Sequence, residues 1–463
     1  MIKSLRHIII GFIVFSALTS YLFSLFSSGA NEPTRAAAVV IFALGFWATT
    51  ALPEYLTAIM FFLFVLVLKI APPNVVFSGF HSKALWLVFG GLIIGVAVNN
   101  TGLGQRFAGR ILSYMSTSYL LNISIIVFTA ILFSFFMPST TGRVVLLVPV
   151  VVAISDRLGF NEGSKGRSGM VMAATLACFA PSCAILPANV ANMILAGAAE
   201  KVYNIDFSFV EYFKWQFPIL VMKAIAIILL ARILFPARIE LARNSCKTLD
   251  ISPVLFSGSE KRLAFILATT LFLWATDTLH GISPAWVAMA AGVACFIPFF
   301  QILPAESFRK EINFSLLFYV AGVLGVGALV DSSGLGQAMG SKLLTFIKFY
   351  PALDFYNFIG IVIIEIALSL VTTVPGLPAV MTPLAQEISN STGFHLQTII
   401  MAQVVGFSTL IFPYQVPPIL VGMNLGAVRG VDGVKITASL ALVTLIFIVP
   451  TLYLWWLYLG FFR

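Results

Sequence analysis

The sequence predicts an all-α polytopic membrane protein built from two inverted repeats, with re-entrant hairpins and broken helices and about 11 transmembrane helices in all. Three observations predict it. Of 463 residues, 60% are hydrophobic and 10% charged, whereas a soluble domain carries roughly 25% charged residues. Apolar runs of spanning length recur from end to end. The order of those runs, and short motifs within them, occurs twice. The composition excludes a soluble multidomain enzyme and a disordered chain. Continuous rather than alternating apolar stretches argue against a β-barrel.

Lys3 and Arg6 precede an apolar run over 8–26, followed by the small residues Ser28, Gly29 and Ala30. Its length favours an uncleaved N-terminal transmembrane helix (1–34) over a signal peptide. A first repeat occupies 35–236, with runs at 35–51, 55–70, 85–99, 119–154, 170–199 and 215–235. The run 119–154 is interrupted by Met137-Pro138-Ser139-Thr140-Thr141-Gly142, and 170–199 is interrupted around 181–192. The segment 237–261 is the most polar in the chain and reads as a cytoplasmic connector. A second repeat, 262–463, has runs at 263–279, 285–302, 314–330, 355–388, 396–427 and 436–461, with breaks at 372–378 and 412–418.

The duplication is visible in residues. Gly102-Leu103-Gly104-Gln105 matches Gly334-Leu335-Gly336-Gln337, and at the same offset Gly90 meets Gly322 and Gly95 meets Gly327. Further along, Gly142 pairs with Gly376, Pro149 with Pro383, Ser182 with Ser408 and Pro187 with Pro413. If each hairpin re-enters on its own side, a repeat crosses the bilayer an odd number of times, so the second lies upside down relative to the first. With the N-terminus cytoplasmic, the inside loops hold most of the Lys and Arg residues, among them Arg106, Arg110, Arg157, Arg167, Arg243, Lys247, Arg309 and Lys310. That bias follows the positive-inside rule, and the net charge of +9 is assigned to topology and lipid head groups rather than nucleic acid. The four cysteines, Cys178, Cys183, Cys246 and Cys295, form no metal-binding or redox motif.

A helix broken inside a bilayer must satisfy its freed N–H and C=O groups with neighbours, water or ligand. Four breaks at matching positions of two repeats are expected to meet near the midplane and form the binding site. Ser139, Thr140 and Thr141 bring three hydroxyls to a helix N-terminus, where anions are favoured and oxygens suit a small cation. Equally, they are ordinary N-caps. The second break offers Thr372, Thr373 and Gly376. Asn189, Asn192 and Gln415 either meet a ligand or satisfy the broken backbone. Two charges flank the hairpins. Arg143 either holds an anion through its guanidinium fork or pairs structurally with Glu365 or snorkels to the surface. Glu365 is a candidate carrier of a coupling proton. Lys223 lies inside an apolar run without an evident partner.

The segment from Ser139-Thr140-Thr141-Gly142 to Pro149 resembles the Ser-Asn-Thr hairpin motif of the divalent anion:sodium symporters, the INDY-like dicarboxylate and sulfate transporters. Pro413-Tyr414-Gln415-Val416-Pro417-Pro418 is similar to that family's Pro-Val-Ala-Thr-Pro-Pro-Asn stretch, and Asn192 falls where the first copy places its asparagine. Thr140 replaces the asparagine of the first motif. Val374 and Pro375 stand where the second has asparagine and threonine, and Ile419 replaces the asparagine after Pro-Pro. The resemblance implies a scaffold and a mobile transport domain, elevator-type alternating access and a homodimer. It further implies that Ser139, Thr140, Thr141, Thr373 and the Pro417-Pro418 region bound the substrate and sodium sites, with sodium nearest Thr140.

The expectation is a secondary active transporter of small divalent anions, a dicarboxylate or related oxyanion, sodium-coupled, in a bacterial-type inner membrane. The substrate contacts expected are Ser139, Thr140, Thr141, Arg143, Asn192, Thr372, Thr373, Gly376, Pro417 and Pro418. Coupling is expected through Ser139, Thr140, Thr373 and Glu365. A proton-coupled or uncoupled permease on the same fold is the alternative. An intramembrane enzyme finds no HExxH, paired Asp-rich motif or Ser/His constellation in the spans.

Overall fold

The computed structural model describes residues 14, 16, 19, 32–112, 114, 116–239, 256–351 and 353–462. Apart from those first three residues, the expected N-terminal helix over 8–26 lies outside the described residues. So do residues 240–255 of the connector, with Arg243, Cys246 and Lys247, and also Lys3, Arg6 and Arg463.

Every regular element among the described residues is helical. By length and composition, five helices are apolar enough to cross a bilayer: Lys83–Thr101, Tyr119–Phe136, Phe209–Leu234, Phe314–Ser332 and Gly430–Tyr458. Shorter apolar helices accompany them at Glu54–Val67, Pro284–Phe296 and Leu396–Ser408. This is an all-helical membrane protein with several apolar spans.

The elements run in one order twice. Glu32–Thr49, Glu54–Val67, Lys83–Thr101, Leu103–Leu112, Tyr119–Phe136, Thr140–Arg157, Lys165–Phe179, Val190–Tyr203 and Phe209–Leu234 form the first series. Gly258–Ala275, Pro284–Phe296, Phe314–Ser332, Leu335–Phe346, Asp354–Val371, the two-part arm Gly376–Met381 and Ala385–Thr392, Leu396–Ser408, Pro417–Leu425 and Gly430–Tyr458 form the second. The four expected breaks fall between these helices. The duplicated Gly-Leu-Gly-Gln motif now has a cause. Gly102 and Gly334 take φ of +74° and +71°, a left-handed turn that reverses the chain into a short helix, and side chains with a Cβ rarely adopt it. The motif thus opens the short helices Leu103–Leu112 and Leu335–Phe346, which are too short to register as apolar runs of spanning length.

The two series interlock by exchange. Helix 54–67 of the first packs on 314–332 of the second, and 284–296 of the second packs on 83–101 of the first. At these crossings Gly322 faces Ala58, and Gly90 faces the backbone of Ala288. Trp47 Nε1 donates to the Glu54 carbonyl and Trp274 Nε1 to the Pro284 carbonyl, each at 3.0 Å. Nearer the hairpins, 140–157 packs on 417–425, while 376–381 packs on 190–203.

The copies also differ. Pro149 sits inside an unbroken helix, whereas its partner Pro383 lies in a 3-10 turn, Thr382–Leu384, so the second hairpin's return arm is interrupted where the first is continuous. The last helix passes through a π turn, Thr444–Ile448, just before Pro450, which has no N–H to continue the regular ladder.

Candidate functional site

The first hairpin turns at Met137-Pro138-Ser139. Pro138 cannot donate, and Ser139 leaves the helical region at φ −104°, ψ +110°. The Ser139 hydroxyl then accepts from Gly142 N–H at 3.1 Å, capping the new helix. The second hairpin repeats this with Thr373, whose hydroxyl accepts from Gly376 N–H at 3.2 Å and lies 3.3 Å from the Tyr319 hydroxyl. In the first broken span, Asn189 Oδ1 caps the Asn192 N–H at 3.1 Å.

All four breaks border one cavity of about 560 Å³, a size ordinary for a small-molecule site. Ser139, Thr140, Thr141, Thr372, Thr373, Pro417 and Pro418 line it, seven of the expected contacts. Asn189 and Gln415, weighed from sequence as backbone-satisfying amides or ligand contacts, also line it.

Two helix N-termini open onto this cavity, at Thr140-Thr141 and at Val190-Ala191. First-turn N–H groups of a helix have no helical acceptor, and the dipole adds partial positive charge there. Ser139 and Asn189 cap only the third residue of each helix, so the first two N–H groups are left to face a ligand. The second copy lacks this. Its breaks begin Pro375-Gly376 and Pro417-Pro418, and proline has no N–H. Helix starts with uncapped N–H groups at the cavity are therefore concentrated in the first half.

Four expected residues do not line the cavity. Gly376 sits behind Thr373 as the recipient of its cap. Asn192 is fully buried and donates to the carbonyls of Ile185 at 2.8 Å and Ser182 at 3.4 Å, holding the unwound backbone. Arg143 is also fully buried and does not reach Glu365. Its guanidinium donates to the carbonyls of Met137, Cys178 (2.7 Å) and Ala188 (3.0 Å), and to the hydroxyls of Thr140 and Ser182 (3.2 Å each). Glu365 is buried against Gly406, and neither of its oxygens has a hydrogen-bond partner among the described residues. Gln415 spends its side chain on the break at 412–418 and the end of the second hairpin's first arm: its oxygen accepts from the N–H groups of Ile411 and Phe412 at 2.8 Å each, and its amide donates to the Ser369 carbonyl at 3.2 Å.

Glu54, Asn313 and Tyr319 also line the cavity and stand outside the breaks that the sequence marks, whereas Tyr414 belongs to the break at 412–418. Glu54 and Asn313 stand at starts of packed helices, so in sequence they read only as polar residues bounding a span. No local signal marks them as facing the breaks.

A family model described as the sodium:sulfate symporter transmembrane region matches residues 12–462. A membrane protein of Cupriavidus necator is 22% identical over 422 residues, covering 86% of this chain and 82% of that protein. An L-tartrate/succinate antiporter of Escherichia coli is 21% identical, covering 82% of this chain and 79% of its own. The sodium-dependent dicarboxylate transporter SdcS of Staphylococcus saprophyticus is 21% identical, covering 66% and 64%. Among solved structures, the YdaH transporter of Alcanivorax borkumensis aligns with a TM-score of 0.51 at 15% identity, covering 81% of this chain and 87% of that one. That likeness concerns the fold alone, a helical membrane architecture. With nearly its whole length matched, the chain belongs to the sodium:sulfate symporter family, a family of transporters and not of enzymes, and is a multi-pass membrane protein.

Proposed function

We propose that the protein is a secondary transporter of small divalent anions, dicarboxylates foremost, working by elevator-type alternating access. The observation that carries the substrate class is the meeting of two helix N-termini, Thr140-Thr141 and Val190-Ala191, with the hydroxyls of Ser139, Thr372 and Thr373 around one cavity. The relatives named for tartrate, succinate and dicarboxylate transport support the same class. The recurrence of element order, of the glycine turns and of the exchanged helix packing supports two inverted repeats, 35–236 and 262–463, joined by a connector over 237–261. Homodimerisation, about 11 spans, an inner-membrane location and a cytoplasmic N-terminus rest on the resemblance and on the charge bias of the loops.

Exchange is favoured over sodium symport by one observation. The Thr140 hydroxyl, which the resemblance assigns to sodium, already accepts from Arg143. Uptake of radiolabelled succinate and sulfate into proteoliposomes tests the substrate class. Saturable uptake competed by other dicarboxylates is expected. A purified protein that moves neither anion, with or without internal anion or sodium, refutes the reading.

A further inference from the structure

Among the described residues, one Lys, Arg, Asp or Glu side chain borders the cavity, and it is an acid, Glu54. It stands in the first turn of helix 54–67 and is half-buried. Its backbone carbonyl accepts from Trp47, but its carboxylate makes no hydrogen bond or ion pair among the described residues.

The elements packed on helix 54–67 do not balance that charge. Helix 314–332 brings Asn313 and Tyr319 to the cavity, and both are neutral. Asn313 caps its own helix by accepting from the Leu316 N–H at 3.3 Å, and the Tyr319 hydroxyl lies 3.3 Å from the Thr373 hydroxyl. Asp331 is at the far end of that helix, roughly 18 Å along the axis from Tyr319. Helix 32–49 meets Glu54 through Trp47 near its end, whereas its charges, Glu32 and Arg35, stand at its start. The turn 73–76 carries no charge.

The two fully buried cations are engaged outside the lining. Arg143 donates to three carbonyls and two hydroxyls behind the first hairpin tip, and Lys223 to the carbonyl and hydroxyl of Ser408 at 2.6 Å each. Glu365, buried beside Gly406, lies outside the lining too. An anion in the cavity therefore meets N–H groups and hydroxyls from the breaks, and a carboxylate from helix 54–67. A dianion and an ionised carboxylate within one cavity of about 560 Å³ repel each other, the more so in low-dielectric surroundings. A proton on Glu54 removes the repulsion and turns the carboxyl into a hydrogen-bond donor.

We propose that Glu54 is the proton acceptor of this site, and that a dianion binds here together with one proton. The inference rests on the divalent-anion reading above. The proton comes from solvent, joins a Glu54 carboxylate oxygen as the dianion enters, and returns to solvent as it leaves. Linkage makes the effect reciprocal: the dianion holds the proton on Glu54, and protons tighten dianion binding. Binding therefore strengthens as pH falls, by up to about tenfold per pH unit where one full proton is taken up.

The test is calorimetric titration of the purified full chain with succinate in two buffers of different ionisation enthalpy, whose difference in heat counts protons. Net proton uptake is expected in the wild type and in Glu365→Gln, and none in Glu54→Gln. The Glu54→Gln protein is also expected to bind succinate with an affinity that stays flat between about pH 7 and about pH 8.5, where wild-type affinity falls. Absence of uptake in the wild type overturns the proposal and leaves the divalent-anion reading intact. Uptake that survives in Glu54→Gln overturns the role of Glu54. Aspartate bound more tightly than succinate, without proton uptake, overturns the proposal as well, because the carboxylate then meets a substrate ammonium. No binding of succinate or sulfate, by calorimetry or thermal shift, overturns both readings. Should Glu54→Gln fail to fold, proton uptake by the wild type and by Glu365→Gln decides the matter.

Discussion

Asn122 and Asn357 do the same work at equivalent helix starts. Asn122 accepts from the Ser116 N–H at 2.7 Å and donates to the Ser116 carbonyl at 2.8 Å. Asn357 accepts from the Tyr350 N–H at 2.9 Å and donates to the Tyr350 carbonyl at 2.7 Å. Each asparagine is fully buried and pins the loop that enters the first arm of a hairpin. Alanine at either position strands one backbone donor and one acceptor, at about 1–3 kcal/mol for each buried group left unsatisfied. Asn122→Ala and Asn357→Ala are expected to lower the thermal midpoint in detergent by similar amounts. A large loss for one and none for the other would show that the two loops are not structural equivalents.

The exchanged helix crossings make a second symmetric pair of predictions. A Cβ on Gly90 would lie 2.5 Å from the Ala288 carbonyl carbon, and one on Gly322 would lie 2.6 Å from the Ala58 Cβ. Both contacts are shorter than packed atoms tolerate, so the helices must separate. Overpacking of this kind costs typically about 1–3 kcal/mol. Gly90→Ala and Gly322→Ala are each expected to destabilise the protein, Gly90→Ala the more, because it meets backbone that cannot rotate away. Unchanged thermal midpoints for both would refute the close packing of 83–101 on 284–296 and of 54–67 on 314–332.

How much of this was legible beforehand differs by residue type. Proline, glycine and hydroxyl clusters mark helix breaks by their backbone chemistry, so 137–142, 372–378 and 412–418 could be located from the sequence. That the breaks face one cavity follows from duplication and from the cost of unsatisfied backbone in a bilayer. The direction of a long side chain is a different matter. Arg143 lies one turn into a helix whose N-terminus lines the cavity, and sequence spacing allows its guanidinium to point to ligand, to Glu365 or to surface. The structure turns it into a ring of acceptors, because the end of helix Lys165–Phe179 and the break that follows present the Cys178 and Ala188 carbonyls and the Ser182 hydroxyl to it. Lys223 found its partner, Ser408, 185 residues away, a distance over which no local pattern speaks. Asn192 and Gln415 follow the same logic: their amides serve the broken backbone.

The lining hydroxyls yield a functional prediction with a built-in control. Ser139 and Thr373 both cap hairpin helices, and loss of such a cap costs about 1 kcal/mol. The first hairpin adds free helix N–H groups at Thr140 and Thr141, whereas the second begins with Pro375. Ser139→Ala is therefore expected to weaken apparent succinate affinity about tenfold, corresponding to roughly 1.4 kcal/mol. Thr373→Ala is expected to weaken it less, with a comparable loss of stability. Measuring the concentration dependence of exchange beside the thermal midpoint separates the two effects. Equal affinity losses in both variants would contradict an anion site weighted to the first half.

Glu365 poses the opposite problem, a buried polar group with nothing to do. Both carboxyl oxygens lack hydrogen-bond partners among the described residues, the side chain is fully enclosed, and it packs against Gly406 rather than in the cavity lining. A buried polar group left unpaired is a net cost, and replacing it with an apolar side chain of similar volume is often neutral or stabilising. Glu365→Met is therefore expected to raise the thermal midpoint, by roughly 1–3 kcal/mol of stability. Glu365→Gln keeps an unpaired polar group and is expected to gain less. Neither change touches the cavity, so exchange of succinate should persist in both variants, and its response to an imposed pH gradient should match that of the wild type. A stable Glu365→Gln protein that exchanges normally at one pH but has lost that response would make Glu365 a proton carrier instead. In that case the missing partner would be a moving proton, and the cost of burial would be the cost of carrying it.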